Sequence, residues 1–208
     1  MIKIILAFLL VASSAFAAPY IPNVVPPKEE VLKIKEDDII IGCPEAKNVI
    51  IEYSSLACPH CAEYFKNVFP KIKSELVNKC KVKYVYRDFP TTRSALKATA
   101  VARCISMDKN KKINPDEFFR ILQTLFNSQV SWAFDNNYEA NISKILSLVS
   151  VPQERISACM KDNEIATEII SNSFITMKAL KMSHSPSIFI NGTEVSSTNY
   201  ESISKAVQ

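Results

Sequence analysis

The sequence predicts an α/β fold that carries an inserted all-helical domain. Two groups of strand-like segments stand on either side of a long stretch in which apolar residues recur at helical spacing. The stretch covers residues 91–182 and contains no convincing strand. A sheet whose strands are separated by a block of helices fits an α/β core with a second, helical lobe.

The strands are predicted from short apolar or alternating segments. Ile39–Ile41 is an apolar run that ends at a Gly-Cys-Pro turn, and Asn48–Ser54 is β-branched and apolar, as in a buried strand. Residues 82–89 alternate and stop at a proline. Ser187–Ile190 precedes an Asn-Gly hairpin turn, and residues 193–195 form the expected return strand.

Helical patterns fill most of the remaining chain. The first begins at Cys58-Pro59-His60-Cys61, and Pro70 is expected to kink it. The inserted stretch contains four or five such patterns, one of which begins at Pro115. A short helix over residues 200–207 is expected to close the fold.

Composition excludes several classes of protein. A chain of 208 residues that is 48% hydrophobic and 22% charged has the balance of a globular protein, which excludes a disordered or fibrous chain. The formal net charge of +4 without a long basic block argues against nucleic acid as a partner. Six cysteines in this length do not make a small disulfide scaffold, but they suffice for a redox site and structural bridges.

The first residues predict export. A lysine at position 3, an apolar run over residues 4–12 and Ala15-Phe16-Ala17 form the three-part pattern of a signal peptide over residues 1–17. The apolar run has about nine residues, whereas a membrane span needs roughly 20. We expect cleavage after Ala17, an N-terminal extension over residues 18–37 and a periplasmic location; an uncleaved membrane anchor is the alternative. An oxidising compartment would allow lasting disulfides.

The Cys58-Pro59-His60-Cys61 motif lies where a strand meets a helix. The first turn of a helix has free N–H groups and the positive end of the helix dipole, which stabilise a thiolate at Cys58. His60 can add positive charge or a hydrogen bond. Cys61, one turn further on, is expected to be more buried and to close the disulfide ring. A thiolate stabilised in this way makes the disulfide ready to oxidise other thiols.

Other uses of this motif fit less well. A structural zinc site needs four ligands, commonly two such pairs, and the remaining cysteines stand singly at positions 43, 80, 104 and 159. Covalent haem attachment requires a histidine directly after the second cysteine, where this chain has Ala62. A structural disulfide across one helical turn would constrain little. A redox dithiol without metal or bound cofactor is the preferred interpretation.

The motif after an apolar strand resembles the active site of the DsbA family, exported thiol oxidants with a thioredoxin fold. Arg-Asp-Phe-Pro at 87–90 and Ser-Pro-Ser-Ile-Phe-Ile-Asn-Gly at 185–192 are similar to further stretches of that family. The resemblance extends over residues 39–208. It implies a thioredoxin-like domain made of residues 38–90 and 183–208, with residues 91–182 as its helical insertion.

The resemblance also implies roles for residues outside the motif. Pro186 is expected to be a cis-proline that faces the disulfide, and Ser185 to offer main-chain groups to an extended substrate; family members more often carry Val or Thr at the latter position. Glu52 resembles the buried acid that moves protons to and from Cys61. From the residues alone, Glu52 could instead face water at a strand edge, and His184 could be a participant or a bystander.

The remaining cysteines have open pairings. Cys104 and Cys159 resemble the second, structural disulfide of some DsbA-like proteins. Cys43 follows the first strand and Cys80 precedes the third, so these two can pair or remain as thiols.

By the resemblance, the chain is expected to introduce disulfides into reduced secreted or periplasmic proteins. A DsbB-type membrane protein would reoxidise it, and we expect a monomer, because about twenty residues before the core are too few for a folded dimerisation domain. The alternatives are a disulfide isomerase or reductase, and a non-enzymatic periplasmic metal-binding protein.

Overall fold

The computed structural model describes residues 24–207, so the expected signal peptide and its cleavage point lie outside the described residues. Five strands are present in this range: β1 (Ile39–Ile41), β2 (Asn48–Ser54), β3 (Val82–Asp88), β4 (Ser187–Ile190) and β5 (Thr193–Glu194). The helices are α1 (Lys28–Val31), α2 (Pro59–Asn67), α3 (Phe69–Ile72), α4 (Arg93–Ser106), α5 (Pro115–Asn127), α6 (Tyr138–Ser147), α7 (Gln153–Lys161), α8 (Glu164–Leu180) and α9 (Tyr200–Ala206). Within this range, no helix combines the length and apolarity that a membrane crossing requires.

The strands form one mixed sheet in the order β1-β3-β2-β4-β5. β2 and β3 are parallel, because α2 and α3 carry the chain back between them, and the other neighbours are antiparallel. Antiparallel pairing of β2 with β4 places the end of β2 beside the start of β4. The segment before Ser187 therefore lies next to the segment that follows Ser54, which brings the two site regions together.

The sheet is buried on both faces. Successive side chains of β2 point to opposite faces, so the position along the strand decides which core a residue joins. Ile50 lies in the larger core, with α2 and the inserted helices α4 and α5, whereas Ile51 and Tyr53 lie in a smaller core on the other face. Glu52 and Ser54 share the face of Ile50 by the same alternation. The thioredoxin fold with inserted helices, which the family resemblance implied, is confirmed by this strand order and by the helices between β3 and β4.

The helices begin where capping residues stand. The Thr92 hydroxyl accepts from the N–H of Ala95 at the start of α4, and the Asn114 side chain accepts from that of Glu117 at the start of α5. The expected kink at Pro70 is a break: α2 ends at Asn67, and α3 begins two residues later and continues as a π-helical turn over Lys73–Val77. The break leaves α2 as a separate short helix with Cys58 at its N-terminus.

The N-terminal extension contains one helix that the sequence analysis did not predict, α1. It is attached to the sheet by Arg87, whose guanidinium donates to both carboxylate oxygens of Asp38 at 2.7 and 2.8 Å. The same side chain donates to the carbonyl oxygens of Val31 and Lys33, each at 2.6 Å. The part of the extension from Val31 onward is therefore fixed against β3.

Candidate active site

Cys58 is the N-cap residue of α2. Its backbone is extended, with φ −83° and ψ 121°, and Pro59 occupies the first turn, where its missing N–H is not needed. The sulfur atom accepts a hydrogen bond from the N–H of Cys61 at 3.4 Å. Both cysteines are free thiols, so the structure shows the reduced form of the motif.

The surroundings of Cys58 favour its thiolate. The hydrogen bond from the Cys61 thiol is the main cause of a pKa lowered to about 5, and partial burial opposes it. The Ser185 side chain and the N–H groups of Cys61 and His60 lower the pKa further. At neutral pH the reduced protein would therefore carry Cys58 as an anion, which is the nucleophilic and leaving form of a thiol.

Cys61 has the opposite environment. Its side chain is 0% exposed, and its sulfur accepts one hydrogen bond, from the N–H of Ser55 at 3.5 Å. Burial is the largest cause that raises its pKa above the ordinary value of a thiol. Cys61 therefore holds its proton while Cys58 is ionised.

The Ser185–Pro186 peptide bond is cis, and this loop lies against the motif. The Ser185 carbonyl oxygen is 3.2 Å from the Cys58 sulfur, so a main-chain acceptor lies directly beside the reactive atom. A groove of about 720 Å³ opens along the loop. Its lining includes His60, His184, Ser185, Pro186, Glu194 and Val195.

Glu52 lies in β2, the strand that leads to the motif, and its side chain is 0% exposed. The alternative of a carboxylate that faces water at a strand edge is therefore wrong. The Tyr84 hydroxyl donates to its Oε2 at 2.5 Å, and the hydroxyls of Tyr84 and Tyr64 are 3.1 Å apart. Burial raises the pKa of Glu52 to about 7, although the hydroxyls of Tyr84 and Ser54 counteract it. The group can therefore accept or release a proton near neutral pH.

The two histidines lie on the surface of the site. His60 is exposed on the first turn of α2. His184 Nδ1 is 3.2 Å from the Ser187 hydroxyl, and its Nε2 is 3.9 Å from Glu194. Neither ring has a hydrogen bond to Cys58 or Cys61 among the described contacts of residues 24–207.

The other four cysteines form two disulfides away from the motif. Cys104 and Cys159 join α4 to α7, with Cα atoms 5.5 Å apart, and Cys43 and Cys80 join the turns beside β1 and β3, with Cα atoms 5.1 Å apart. Among residues 24–207, Glu45 with this second pair is the one group with the spacing of a metal site. Because the two sulfurs are bonded to each other, they offer no thiolate to a metal.

Sequence reasoning missed three side chains that contact the site. Tyr84 bonds to Glu52 and Tyr64 bonds to Tyr84. Tyr84 lies in the alternating segment of β3 and Tyr64 on the buried side of α2, and both positions indicated only core packing. Gln129 reaches the motif from the inserted helices, more than sixty residues further along the chain. A polar residue just after the apolar pattern of α5 was its only signal.

The comparisons with known proteins agree with this geometry. A family model described as thioredoxin matches residues 34–208. The crystal structure of Wolbachia pipientis alpha-DsbA1 superposes with a TM-score of 0.77 at 25% identity, over 86% of this chain and 94% of that one. The crystal structure of BdbD from Bacillus subtilis, at 16% identity and a TM-score of 0.71, covers 83% of this chain and 91% of that one and shares the fold.

A Rickettsia prowazekii relative whose name includes protein-disulfide oxidoreductase is 31% identical over 181 residues, which are 87% of this chain and 64% of the relative. The chain thus spans slightly less than two thirds of that relative's length. The family model matches well over half of the chain. The chain belongs to the thioredoxin family and is a DsbA-like member of it.

Proposed function

We propose that the protein is an exported thiol:disulfide oxidoreductase that oxidises pairs of thiols in reduced secreted proteins. The observation that carries this proposal is the placement of Cys58: a sulfur atom at a helix N-terminus, with a lowered pKa, beside the main-chain carbonyl of Ser185. Stabilising the Cys58 thiolate stabilises the reduced form, so the oxidised form gives up its disulfide readily. The similarity to proteins named for disulfide formation supports the same activity.

The reaction would proceed by two thiol–disulfide exchanges. A substrate thiolate attacks the Cys58 sulfur of the oxidised motif, forms a mixed disulfide and displaces the Cys61 sulfur, which takes up a proton. A second substrate thiolate attacks the substrate sulfur of the mixed disulfide and releases Cys58 as a thiolate. The substrate loses two electrons and gains a disulfide, and the motif gains the two electrons.

The groove beside Ser185 and Pro186 is suited to an extended substrate segment, because it runs past main-chain groups next to Cys58. Pro186 and Ser185 would hold that segment, and Glu52 would exchange the Cys61 proton. Reoxidation of the motif requires an acceptor of two electrons. We assign that role to a membrane protein of the DsbB type, in keeping with the signal-peptide pattern at residues 1–17 and a monomer in the periplasm.

The test uses a reduced, unfolded protein whose activity returns only when its disulfides form. Adding the oxidised form of the present protein should restore the substrate's activity in stoichiometric amount while its own motif becomes reduced. The Cys58→Ser variant should restore none. A parallel assay starts from the same substrate with scrambled disulfides. Strong recovery of the scrambled substrate with little oxidation of the reduced substrate would identify an isomerase instead. Recovery in neither assay would contradict the oxidase and the isomerase alike.

A further inference from the structure

Gln129 connects the inserted helices to the motif. It begins the 3-10 turn Gln129–Ser131 that follows α5, and its side chain is 4% exposed. Its Nε2 donates to the carbonyl oxygen of Leu56 at 2.7 Å and to that of Cys58 at 3.0 Å. Because both partners are acceptors, the atom that faces them is the amide nitrogen.

These two carbonyls belong to the segment that joins β2 to α2. The Cys58 carbonyl also accepts the first backbone hydrogen bond of the helix, from Ala62 at 3.1 Å, and the N–H of Cys58 donates to Ser55 at 3.0 Å. Within residues 24–207, no backbone N–H donates to the Leu56 carbonyl. One amide from the inserted domain therefore fixes the segment on both sides of Ala57.

The conformation of this segment decides what surrounds the Cys58 sulfur. Only with Cys58 in its extended cap conformation does the N–H of Cys61 point at that sulfur, at 3.4 Å. The amide hydrogens of Gln129 also balance the partial negative charge of a carbonyl oxygen close to the thiolate. Both effects favour the anion over the thiol.

We propose that Gln129 is a positioning residue through which the inserted helical domain holds Cys58 in its reactive geometry. The inference rests on the proposed function and names a residue that sets how strongly the motif oxidises. It acts through the backbone of Leu56 and Cys58, and within residues 24–207 its side chain makes no hydrogen bond to either thiol.

The turn that carries Gln129 is held independently of its side chain. Trp132 Nε1 donates to the Leu125 carbonyl at 2.9 Å, and the Ser94 hydroxyl donates to the Ala133 carbonyl at 2.7 Å. The Trp132 side chain is fully buried. Substituting Gln129 should therefore remove its two hydrogen bonds while leaving the turn in place.

The experiment compares Gln129→Met, which keeps the length of the side chain without a donor, with Gln129→Glu, which directs an anion at the same carbonyls. Val130→Ala, an exposed neighbour in the same turn, is the matched control. Two quantities are measured on the full chain: the Cys58 pKa from thiolate absorbance, and the equilibrium of the motif with reduced and oxidised glutathione.

Gln129→Met should raise the Cys58 pKa by roughly half a unit to one unit, about the effect of one net hydrogen bond, and Gln129→Glu should raise it further. The glutathione equilibrium should move about threefold to tenfold toward the disulfide form. Val130→Ala should match the wild type in both measurements.

A Gln129→Met protein that folds and keeps the wild-type pKa and equilibrium would overturn the inference and leave Gln129 with packing alone. If Gln129→Met is too unstable to measure, Gln129→Glu decides the matter in the same way. Failure of the proposed function looks different, because the wild-type protein itself would then show an ordinary Cys58 pKa and no exchange with glutathione.

Discussion

Cys58 and Cys61 are three residues apart in one helical turn, yet their surroundings drive their ionisation in opposite directions. Cys58 is half-buried at the helix N-terminus and receives hydrogen bonds, whereas Cys61 is enclosed by the core next to β2. Hydrogen bonding lowers the pKa of the first to about 5, and burial raises that of the second. The difference teaches that position within one helical turn is enough to favour the anion at one sulfur and the protonated thiol at the other.

The largest effect should come from removing each sulfur in turn. Cys58→Ser should reduce exchange to the rate of the uncatalysed reaction, because the remaining thiol is 0% exposed. Cys61→Ser should still attack disulfides through Cys58 but be unable to close the ring, so that mixed disulfides accumulate. Mass spectrometry after incubation with oxidised glutathione distinguishes the two. Equal amounts of glutathione mixed disulfide in both variants would contradict the assignment of Cys58 as the attacking cysteine.

The second effect concerns Glu52 and the pH dependence of stability. A carboxyl whose pKa is about 7 when folded and 4.5 in its ordinary state binds more protons in the folded protein. The stability it contributes is present below pH 4.5 and is lost as the pH rises through 7. Glu52→Gln in the oxidised protein should remove this loss, which amounts to about 3 kcal/mol at most.

Denaturant unfolding at several pH values measures this change, with midpoints compared between pH 5 and pH 8. Glu63→Gln is the matched control, since it removes a carboxylate from the exposed side of α2. The control should keep the wild-type pH profile. A Glu52→Gln profile as steep as that of the wild type would show that the buried carboxyl does not titrate in this range.

A smaller effect is expected at Tyr84, whose hydroxyl donates to Glu52 and lowers its pKa. Tyr84→Phe should raise the Glu52 pKa above about 7 by up to roughly one unit, the effect of a single hydrogen bond. Carbon NMR of the carboxyl groups in labelled glutamate, followed as a function of pH, measures the Glu52 pKa directly. Tyr53→Phe, which removes a buried hydroxyl from the opposite face of β2, should leave the Glu52 pKa unchanged; equal shifts in both variants would refute the role of Tyr84.

The α/β core with a helical lobe could be predicted because its strands and helices follow from local patterns, whereas the thioredoxin fold was assigned through the family resemblance. Alternation and apolar runs located the five strands, and cysteine spacing at the strand-to-helix junction located the motif. α1 was missed because its four residues contain no apolar repeat; it is held by Arg87, which lies more than fifty residues away. Contacts of that kind depend on strand order, which periodicity does not encode.

The same reason explains which parts of the site were found. Pro186 and Glu52 were assigned through family resemblance. Pairing of β2 with β4 brings the Ser185–Pro186 loop to Cys58, and pairing of β2 with β3 places Tyr84 beside Glu52. Tyr84 and Gln129 contact the site only through tertiary structure, and their sequence surroundings are those of ordinary core positions.

The most direct test of the account is the titration of the reduced wild-type protein, followed through thiolate absorbance with Cys58→Ser as the blank. One thiol should ionise with a pKa near 5, and the signal should vanish in the variant, because the anion belongs to Cys58. The absorbance of Cys61 should stay that of a thiol through neutral pH. A single transition near the pKa of free cysteine, about 8.5, would contradict the central claim.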